Sequence, residues 1–391
     1  MDKKSIEKER RENIEKSKNY TKENGYQFVK VIGFGGFGVV VIVKKDNRYY
    51  AAKFIFPKDN KPISKEKVKD FRGRNLVKIL NARGDGINYY MYVMELSYIG
   101  DVTKIHECLN NNLIFKNPFL NKFGDNLIRL FCKQIITALK TFYEGNLVHF
   151  DIKPDNILIF KGLELKLIDF SFLTKLIHTK KQQIIGGTPG YFSPEFFIRK
   201  DFTDEILQKQ DYFALGITIY NLLFDKPAIT GYQKEKDLIN KTNLNEEEKK
   251  ENERRKEINE KIKEKNYNII IDCIQRAMNN IKSQKYLDKN FIEFLCNLIQ
   301  YNPNERLDFE KIIRNKWLNK NTDEINKIIN INISDEDNML LELQKSDFLV
   351  TKRKIRKKYP DKINNKDNEN NKEVKAHRYI RKGKFKFGKI K

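Results

Sequence analysis

Apolar residues occur in short runs in some parts of the chain and at helical spacing in others. Residues 28–32 and 39–43 are short, apolar and rich in β-branched side chains, which is typical of strands. Residues 157–160 and 165–168 are two more strand-like runs, and the turn signal Lys161-Gly162 between them predicts a β-hairpin. A stripe at helical spacing predicts a core-facing helix: Leu127, Leu130, Phe131, Ile135, Leu139 and Phe142.

Polar residues flank the predicted hairpin at its open end. Asn156 comes just before the first strand and Asp169 just after the second, so closing the hairpin brings an amide oxygen and a carboxylate together. Oxygen ligands of this kind suit Mg²⁺, which usually takes one or two protein groups plus substrate phosphates. The sequence therefore predicts that Asn156 and Asp169 hold Mg²⁺.

Asp151 and Lys153 lie in the loop that leads into the hairpin. A carboxylate there can orient an attacking hydroxyl and accept its proton, and a nearby ammonium can neutralise charge on a transferring phosphoryl group. An ordinary surface loop would account for any one of these polar residues alone. The whole set at this spacing favours phosphoryl transfer.

The segments His149–Asn156 and Asp169–Ser171 resemble two motifs of the protein kinase family, the catalytic loop H-R-D-x-x-x-x-N and the metal-binding D-F-G. The resemblance implies an α+β fold, the bilobal protein kinase fold, with a strand-rich N-lobe and a mostly helical C-lobe. It also implies ATP and Mg²⁺ as cofactors and protein substrates as partners. His149 is then expected to brace the catalytic loop.

A glycine-rich turn precedes the strand at 39–43. Gly33, Gly35, Gly38 and Val40 match G-x-G-x-x-G-x-V, and such a turn lets backbone amides approach phosphates. A dinucleotide-binding turn opens a helix, whereas this one opens a strand, which favours the kinase interpretation. Phe37 at the tip is expected to shield the phosphates from water.

The resemblance assigns further nucleotide-binding roles. Lys53 corresponds to the lysine that holds the α and β phosphates, and Glu66 is its expected partner, although a surface glutamate on a lysine-rich helix is the alternative. Residues 90–96 resemble the strand that enters the hinge, and backbone groups near Glu95 and Ser97 are expected to bond the adenine edge. The remaining predicted ATP-binding residues are Ala51, Met94 and Leu158.

Residues 187–195 resemble the end of a kinase activation segment. Thr188 is expected near the acceptor hydroxyl through Asp151 and Lys153. The lysine at 153 is typical of kinases that act on serine and threonine, with dual specificity as an alternative. The resemblance assigns structural roles to three more residues: Asp211 is expected to brace the catalytic loop, and Arg306 is expected to pair with Glu195.

Two residues depart from the kinase motifs. Phe150 replaces the arginine before the catalytic aspartate, and an apolar ring cannot pair with a phosphate. Activation through phosphorylation of the segment is therefore disfavoured, although Thr174 and Thr179 remain available for it. Ser171 replaces the glycine of D-F-G and should restrict flipping of the motif. Because the other polar residues are present, an active enzyme is favoured over a nucleotide-binding scaffold that acts through a basic tail.

The expected organisation has four parts. Residues 1–25 are a charged N-terminal extension of uncertain order, 26–97 the N-lobe, 98–319 the C-lobe, and 320–391 a basic C-terminal tail that is partly disordered. A charged insertion at 234–265 interrupts the C-lobe. Its charges of mixed sign predict an exposed helix or a flexible segment, and partner docking is the less favoured interpretation.

The net charge of +24 is concentrated at the C-terminus, where residues 350–391 contain 17 Lys or Arg and only 4 Asp or Glu. This tail is expected to bind an anionic partner, namely a nucleic acid, an acidic protein or a membrane surface; a solvated tail without a partner is the alternative. The four cysteines lack metal-binding spacing, and neither a signal peptide nor a transmembrane run is evident. The expected location is intracellular, either cytoplasmic or nuclear.

Overall fold

The computed structural model divides into two units. The described residues of Met1–Gly100 and Leu158–Ile168 make up the first unit, and those of Asp101–Ile157 and Asp169–Ile329 make up the second. The structure describes residues 3–35, 38–56, 72–84, 88–97, 99–104, 124–176, 186–198, 202–233 and 245–320. Residues 321–391, which include nearly all of the predicted basic tail, lie outside this set.

The first unit contains a helix and an antiparallel five-stranded sheet. Its elements are α1 (Lys3–Glu23), β1 (Gln27–Gly35), β2 (Gly38–Lys45), β3 (Arg48–Ile55), β4 (Ile79–Arg83) and β5 (Tyr90–Met94). The strand order in the sheet is β1-β2-β3-β5-β4. Asp46 and Asn47 join β2 to β3 with positive φ angles of 48° and 59°. Such angles match the twist of a two-residue hairpin, and Asp and Asn tolerate them better than most residues.

Side chains alternate across this sheet. On β2, Val39, Val41 and Val43 are fully buried on one face, together with Ala52 and Phe54 of β3. A separate cluster around Ile42, Ala51 and Leu96 occupies the other face. The period of two follows from strand geometry and explains why the run at 39–43 is apolar throughout.

The charged N-terminal extension contains an ordered helix. Residues 3–23 form α1, which packs on β1 and β2. Whether this segment is ordered could not be predicted from the sequence, because its few apolar residues give no clear amphipathic stripe. Its contacts with the sheet involve aromatic rings, lysine and arginine side chains and small buried hydroxyls.

The predicted hairpin is present. β8 (Ile157–Phe160) and β9 (Glu164–Leu167) are neighbours in a three-stranded sheet with β6 (Gly100–Asp101). Residues Leu158–Ile168 belong to the first unit, because the backbone of Leu167 exchanges hydrogen bonds with Asn75 and Val77. The lobe boundaries expected from the sequence stay predictions.

The second unit is largely helical. Its elements are α2 (Gly124–Glu144), β7 (Leu147–Val148), β10 (Thr174–Lys175), α3 (Asp204–Phe224), α4 (Glu246–Lys282), α5 (Lys289–Leu298) and α6 (Phe309–Ile313). The stripe predicted on α2 is buried except for Leu130, which is half-buried. A Cβ on Gly216 of α3 would crowd Leu298 and Ile299, so the missing side chain permits close packing at the end of α5. The α+β class predicted from the sequence is confirmed.

The described part of the charged insertion is helical. Asn245 and Glu248 form a capping box at the start of α4, and exposed pairs such as Arg255 with Glu251 support its first turns. From Asn266 onward the helix has a buried face, which includes Ile270 and other residues of the core. Among the described residues, no helix is long and apolar enough to cross a membrane.

Candidate active site

The second unit gathers polar groups around the carboxylate of Asp151, which is 2% exposed. The ammonium of Lys153 donates to Oδ2 at 2.7 Å, and the amide nitrogen of Asn156 donates to the same oxygen at 2.8 Å. The hydroxyl of Thr188 donates to Oδ1 at 2.5 Å. The three residues fix the orientation of the carboxylate, since hydrogen bonds to a carboxylate are among the stronger ones in proteins.

Lys153 bridges the loop and the segment that contains Thr188. Its Nζ lies 2.7 Å from Thr188 Oγ1 and 2.7 Å from Asp151 Oδ2. Each of Lys153, Asp151 and Thr188 therefore contacts the other two, although Thr188 lies 37 positions after Asp151 in the sequence. A hydroxyl and an ammonium meet at one carboxylate, which is an arrangement suited to handling an O–H proton beside negative charge.

Asp211 of α3 holds the backbone of this loop. Its Oδ2 accepts from the backbone N–H of His149 at 2.7 Å, and its Oδ1 accepts from that of Phe150 at 2.9 Å. Burial raises the pKa of Asp211 to about 7, with the two backbone donors opposing this rise and the nearby Asp151 carboxylate adding to it. The ring Nδ1 of His149 in turn accepts from the backbone N–H of Asp151 at 3.2 Å.

Asn156 and Asp169 lie at the same end of the hairpin, because Asn156 directly precedes β8 and Asp169 follows β9 by two residues. The amide nitrogen of Asn156 donates to the backbone oxygen and the carboxylate of Asp151, so the amide oxygen points away from that contact. An amide oxygen and a carboxylate fit the ligand preference of Mg²⁺. No cluster of three or more His, Cys, Asp or Glu suited to a metal occurs among the described residues.

Asp169 has a left-handed backbone conformation, with φ 65° and ψ 71°. Its Oδ1 accepts from the hydroxyl of Ser171 at 2.5 Å. The ring of Phe170, between them, is buried and makes edge contacts with Phe142 and His149 at centroid distances of 6.0 and 5.9 Å. The backbone, the carboxylate and the ring of this short segment are therefore each restrained.

In the first unit, four predicted nucleotide-binding side chains share one face of the sheet. Val40 pairs with Lys53 across β2 and β3, and Ala51 pairs with Met94 across β3 and β5. Directly opposed residues of antiparallel strands, and alternate residues of one strand, lie on the same face. The structure thus places Val40, Ala51, Lys53 and Met94 on one face, and their contacts with a nucleotide stay predictions.

The glycine-rich turn joins β1 to β2. Gly33 and Gly35 lie at the end of β1, and Gly35 pairs with Gly38 at the start of β2. A Cβ on Gly38 would collide with the carbonyl oxygen of Phe54, so no other residue fits that position without a shift of the backbone. Phe37 and Glu66 lie outside the described residues, and their roles stay predictions.

The side chain of Glu95 has a structural role. Its two carboxylate oxygens accept from the backbone N–H of Lys78 and the ammonium of Lys166, each at 2.7 Å. Leu158 is half-buried between the fully buried Ile157 and Ile159, so it faces the opposite side of β8. The adenine contacts expected of Glu95 and Leu158 stay predictions.

Comparison with known proteins decides the family. The model of the protein kinase domain family matches residues 26–318. The chain belongs to the protein kinase domain family. Similar proteins include calcium-dependent protein kinase 5 of Plasmodium berghei (strain Anka), which is 27% identical over 299 residues, or 74% of this chain and 45% of that protein.

Two more relatives are similar to shorter parts of the chain. A probable cAMP-dependent protein kinase catalytic subunit of Encephalitozoon cuniculi (strain GB-M1) is 29% identical over 206 residues, or 52% of this chain and 61% of that protein. The serine/threonine-protein kinase MRCK beta of Rattus norvegicus is 27% identical over 215 residues, or 51% of this chain and 12% of that protein. The chain spans less than two thirds of each of these relatives.

At the position where the kinase catalytic loop usually has arginine, this kinase domain has an apolar site. Phe150 is 2% exposed and has a positive φ of 64°. Its ring contacts Phe196 edge-on at 6.1 Å, and Phe196 stacks on Phe192 and Phe202. These aromatic rings give position 150 an environment that suits a hydrocarbon side chain rather than a charged one.

One residue that supports the kinase site was not predicted from the sequence. Gln210, next to Asp211 on α3, is fully buried. Its Oε1 accepts from the backbone and the hydroxyl of Ser193, and its Nε2 donates to the carbonyl of Tyr191 at 2.9 Å. Its place beside Asp211 in the sequence was the available signal, since a side-chain amide that is buried must find partners.

Proposed function

We propose that this kinase domain is an ATP-dependent protein kinase that transfers the γ-phosphate of ATP to serine and threonine hydroxyls of protein substrates. The observation that carries the proposal is the environment of Asp151. One of its carboxylate oxygens accepts from a hydroxyl, that of Thr188, and the other accepts from the ammonium of Lys153. A substrate hydroxyl that approaches the same carboxylate would find an acceptor for its proton.

The proposed reaction is a single displacement. The substrate hydroxyl oxygen attacks the γ-phosphorus, the bond from that phosphorus to the oxygen of ADP breaks, and Asp151 accepts the hydroxyl proton. Lys153, 2.7 Å from Asp151, supplies positive charge beside the transferring group. Asp211 keeps the loop in place through the backbone of His149 and Phe150.

Cofactor-binding roles are proposed for residues of each unit by itself. The glycine-rich turn and Lys53 would bind the phosphates of ATP, and the face that contains Val40, Ala51 and Met94 would contact the base. Asn156 and Asp169 would hold Mg²⁺, which neutralises phosphate charge when it is bound. These roles follow from the donor types of the residues and from their agreement with the kinase motifs.

The proposed preference for serine and threonine depends on Lys153 and Thr188. Their direct contact at 2.7 Å supports the motif-based assignment, and the similar protein MRCK beta is a serine/threonine-protein kinase. The test is an analysis of the phosphorylated amino acids formed on the chain itself and on generic protein substrates with labelled ATP. Phosphoserine and phosphothreonine are expected. Phosphotyrosine as the sole product would overturn the preference, and the presence of all three would indicate dual specificity.

A further inference from the structure

Helix α1 precedes the matched kinase domain, yet it is an integral part of the first unit. It packs on β1 and β2, and its residues Ser17 and Thr21 are fully buried. The two hydroxyls donate to helix carbonyls, Ser17 to Ile14 and Thr21 to Ser17, at 2.7 and 2.6 Å. Small, internally bonded hydroxyls let a charged helix lie close to a sheet without unpaired polar groups.

The C-terminal end of α1 is anchored. The ring of Tyr20 stacks on that of Tyr89 with centroids 3.8 Å apart and an interplanar angle of 18°. The amide of Asn24 donates to the hydroxyl of Tyr89 at 2.8 Å, and the backbone N–H of Tyr26 donates to the carbonyl of Thr21 at 3.0 Å. These contacts fix the angle between the helix and β1, which follows it after a short turn.

Nearer its N-terminus, α1 contacts the glycine-rich turn through Arg10. The guanidinium of Arg10 lies over the ring of Phe34, 5.1 Å from its centroid. Phe34 stands between Gly33 and Gly35, pairs with Val39 across the turn and is 43% exposed. A cation over an aromatic face is attracted to it, by an amount that is modest at an exposed site.

A second cation on the same helix lies near the same end of the sheet. The ammonium of Lys16 is 5.9 Å from the centroid of the Phe56 ring. Phe56 directly follows the end of β3 that pairs with Gly38. Two basic side chains of α1 therefore contact rings beside the glycine-rich turn.

We propose that α1 acts as a clamp on the glycine-rich turn and that Arg10 is a positioning residue for ATP binding, acting through Phe34. This inference rests on the proposed function, because it names a determinant of affinity at the same nucleotide site. A turn that is rich in glycine loses much conformational freedom when it closes on phosphates. A contact that holds the turn in place beforehand reduces this cost, so it strengthens binding without taking part in the reaction.

The first test compares full-length variants in direct ATP binding and in steady-state kinetics. Arg10→Gln removes the cation, and Phe34→Leu removes the aromatic face. Each is expected to raise the Kd and KM for ATP about two- to fivefold, which is the range of one exposed cation–π contact, and Arg10→Gln should leave kcat unchanged. Arg10→Lys should retain part of the contact and of the affinity. The double variant should bind ATP no more weakly than whichever single variant has the higher Kd, because both changes remove the same contact.

The chain offers a matched control. Lys18 lies over the ring of Phe28 at 5.8 Å, and Phe28 pairs with Val43 at the end of the sheet opposite the glycine-rich turn. Lys18→Gln therefore removes a contact of the same type from the same helix, and ATP affinity should not change. The proposed clamp would be contradicted if Lys18→Gln raises the Kd for ATP as much as Arg10→Gln does, or if Arg10→Gln leaves this Kd unchanged.

A second measurement does not depend on nucleotide binding. Amide hydrogen exchange of the ATP-free chain should be faster in Arg10→Gln across residues 33–35 and unchanged across residues 41–45. Equal exchange of the turn in Arg10→Gln and wild type would overturn the inference even if the proposed kinase activity were absent. Conversely, suppose that the wild type binds no ATP but exchange of the turn is still faster in Arg10→Gln. The clamp on the turn would then be supported, and the proposed function would be contradicted.

Discussion

The guanidinium of Arg306 forms a two-pronged contact with the carboxylate of Glu195, at 2.7 and 3.1 Å, in a site where both side chains are almost completely buried. Two further donors of Arg306 reach the carbonyl of Gln300 at 2.9 and 3.0 Å, and its guanidinium lies over the ring of Phe213. The pair joins the end of the segment that contains Thr188 to the turn before α6, so it fixes the position of that segment.

Arg306→Met should be strongly destabilising. It leaves the Glu195 carboxylate buried without its partner, which typically costs about 3–5 kcal/mol of the free energy of unfolding. Chemical denaturation of the variant and wild type measures this cost. A matched control is Arg314→Met, because the Arg314 pair with Glu310 is exposed and should contribute less than about 1 kcal/mol.

The same account predicts partial recovery in the double variant Arg306→Met with Glu195→Gln, because the unpaired charge is then removed. If Arg306→Met costs no more than Arg314→Met, the buried pair does not restrain the fold in the way described.

Asp211 should make stability depend on pH. Its pKa of about 7 in the folded chain is above the unfolded value of 3.8, mainly because the carboxyl group is buried. Between these two pH values the folded chain binds the extra proton, so this contribution to the free energy of unfolding decreases as pH rises, by at most about 1.4 kcal/mol per pH unit, and levels off above about pH 7.

The measurement is the difference in free energy of unfolding between wild type and Asp211→Asn from pH 4 to 8. Other titrating groups are common to both chains, so they largely cancel from the difference. The stability of wild type relative to the variant should fall up to about pH 7. A difference that stays constant from about pH 5 to 7 would mean that the carboxylate is already charged in the fold over this range and would contradict the prediction.

Phe150 should make activity independent of phosphate on the activation segment. Its side chain is apolar and packs against aromatic rings, so position 150 offers no cation to a phosphorylated residue. We expect phosphatase treatment to change the rate of phosphate transfer less than twofold. A loss of activity that is restored by phosphorylation of Thr174 would contradict this prediction.

Ser171 should strengthen metal-dependent nucleotide binding. Its hydroxyl bonds the Asp169 carboxylate at 2.5 Å and orients it, which a glycine at this position cannot do. Ser171→Ala is expected to raise the Mg²⁺ concentration for half-maximal ATP binding by up to about tenfold, the equivalent of one hydrogen bond of about 1.4 kcal/mol. The measurement is a titration of ATP binding with Mg²⁺ in the variant and in wild type.

Thr174→Ala is the control for this titration. It removes a nearby hydroxyl that donates to the carbonyl of Phe172 at 3.0 Å, so it should leave the Mg²⁺ requirement at the wild-type value. An unchanged requirement in Ser171→Ala, or an equal rise in Thr174→Ala, would contradict the role assigned to Ser171.

Much of the fold and of the second-unit site could be predicted from the sequence, because the signals are local. Asp151, Lys153 and Asn156 lie within one short loop, so their spacing alone brings them together. The hairpin was predictable because a turn signal separates two apolar runs. The pairing of Glu195 with Arg306 spans 111 positions, and only the resemblance to kinases made it predictable.

Other features could not be predicted because they depend on distant partners. The helical stripe of α1 is weak, and its packing depends on Tyr89 and Phe34, which the sequence does not mark as its neighbours. Phe150 was evidently apolar, but its environment comes from Phe196 and the rings around it in another segment. Gln210 bonds Ser193 and Tyr191, which lie in another segment. Only the fold brings these partners within hydrogen-bond distance.

The measurement that tests the central claim most directly is Mg²⁺-dependent transfer of labelled γ-phosphate from ATP to generic protein substrates, with wild type and Asp151→Asn compared at equal ATP occupancy. The variant keeps the size of the side chain but removes the proton acceptor, so transfer should fall at least about a hundredfold while ATP binding persists. Asp272→Asn, which removes an exposed carboxylate on α4, should transfer at the wild-type rate. Equal transfer by wild type and Asp151→Asn, or none by a folded wild type that binds ATP, would contradict the proposed kinase mechanism.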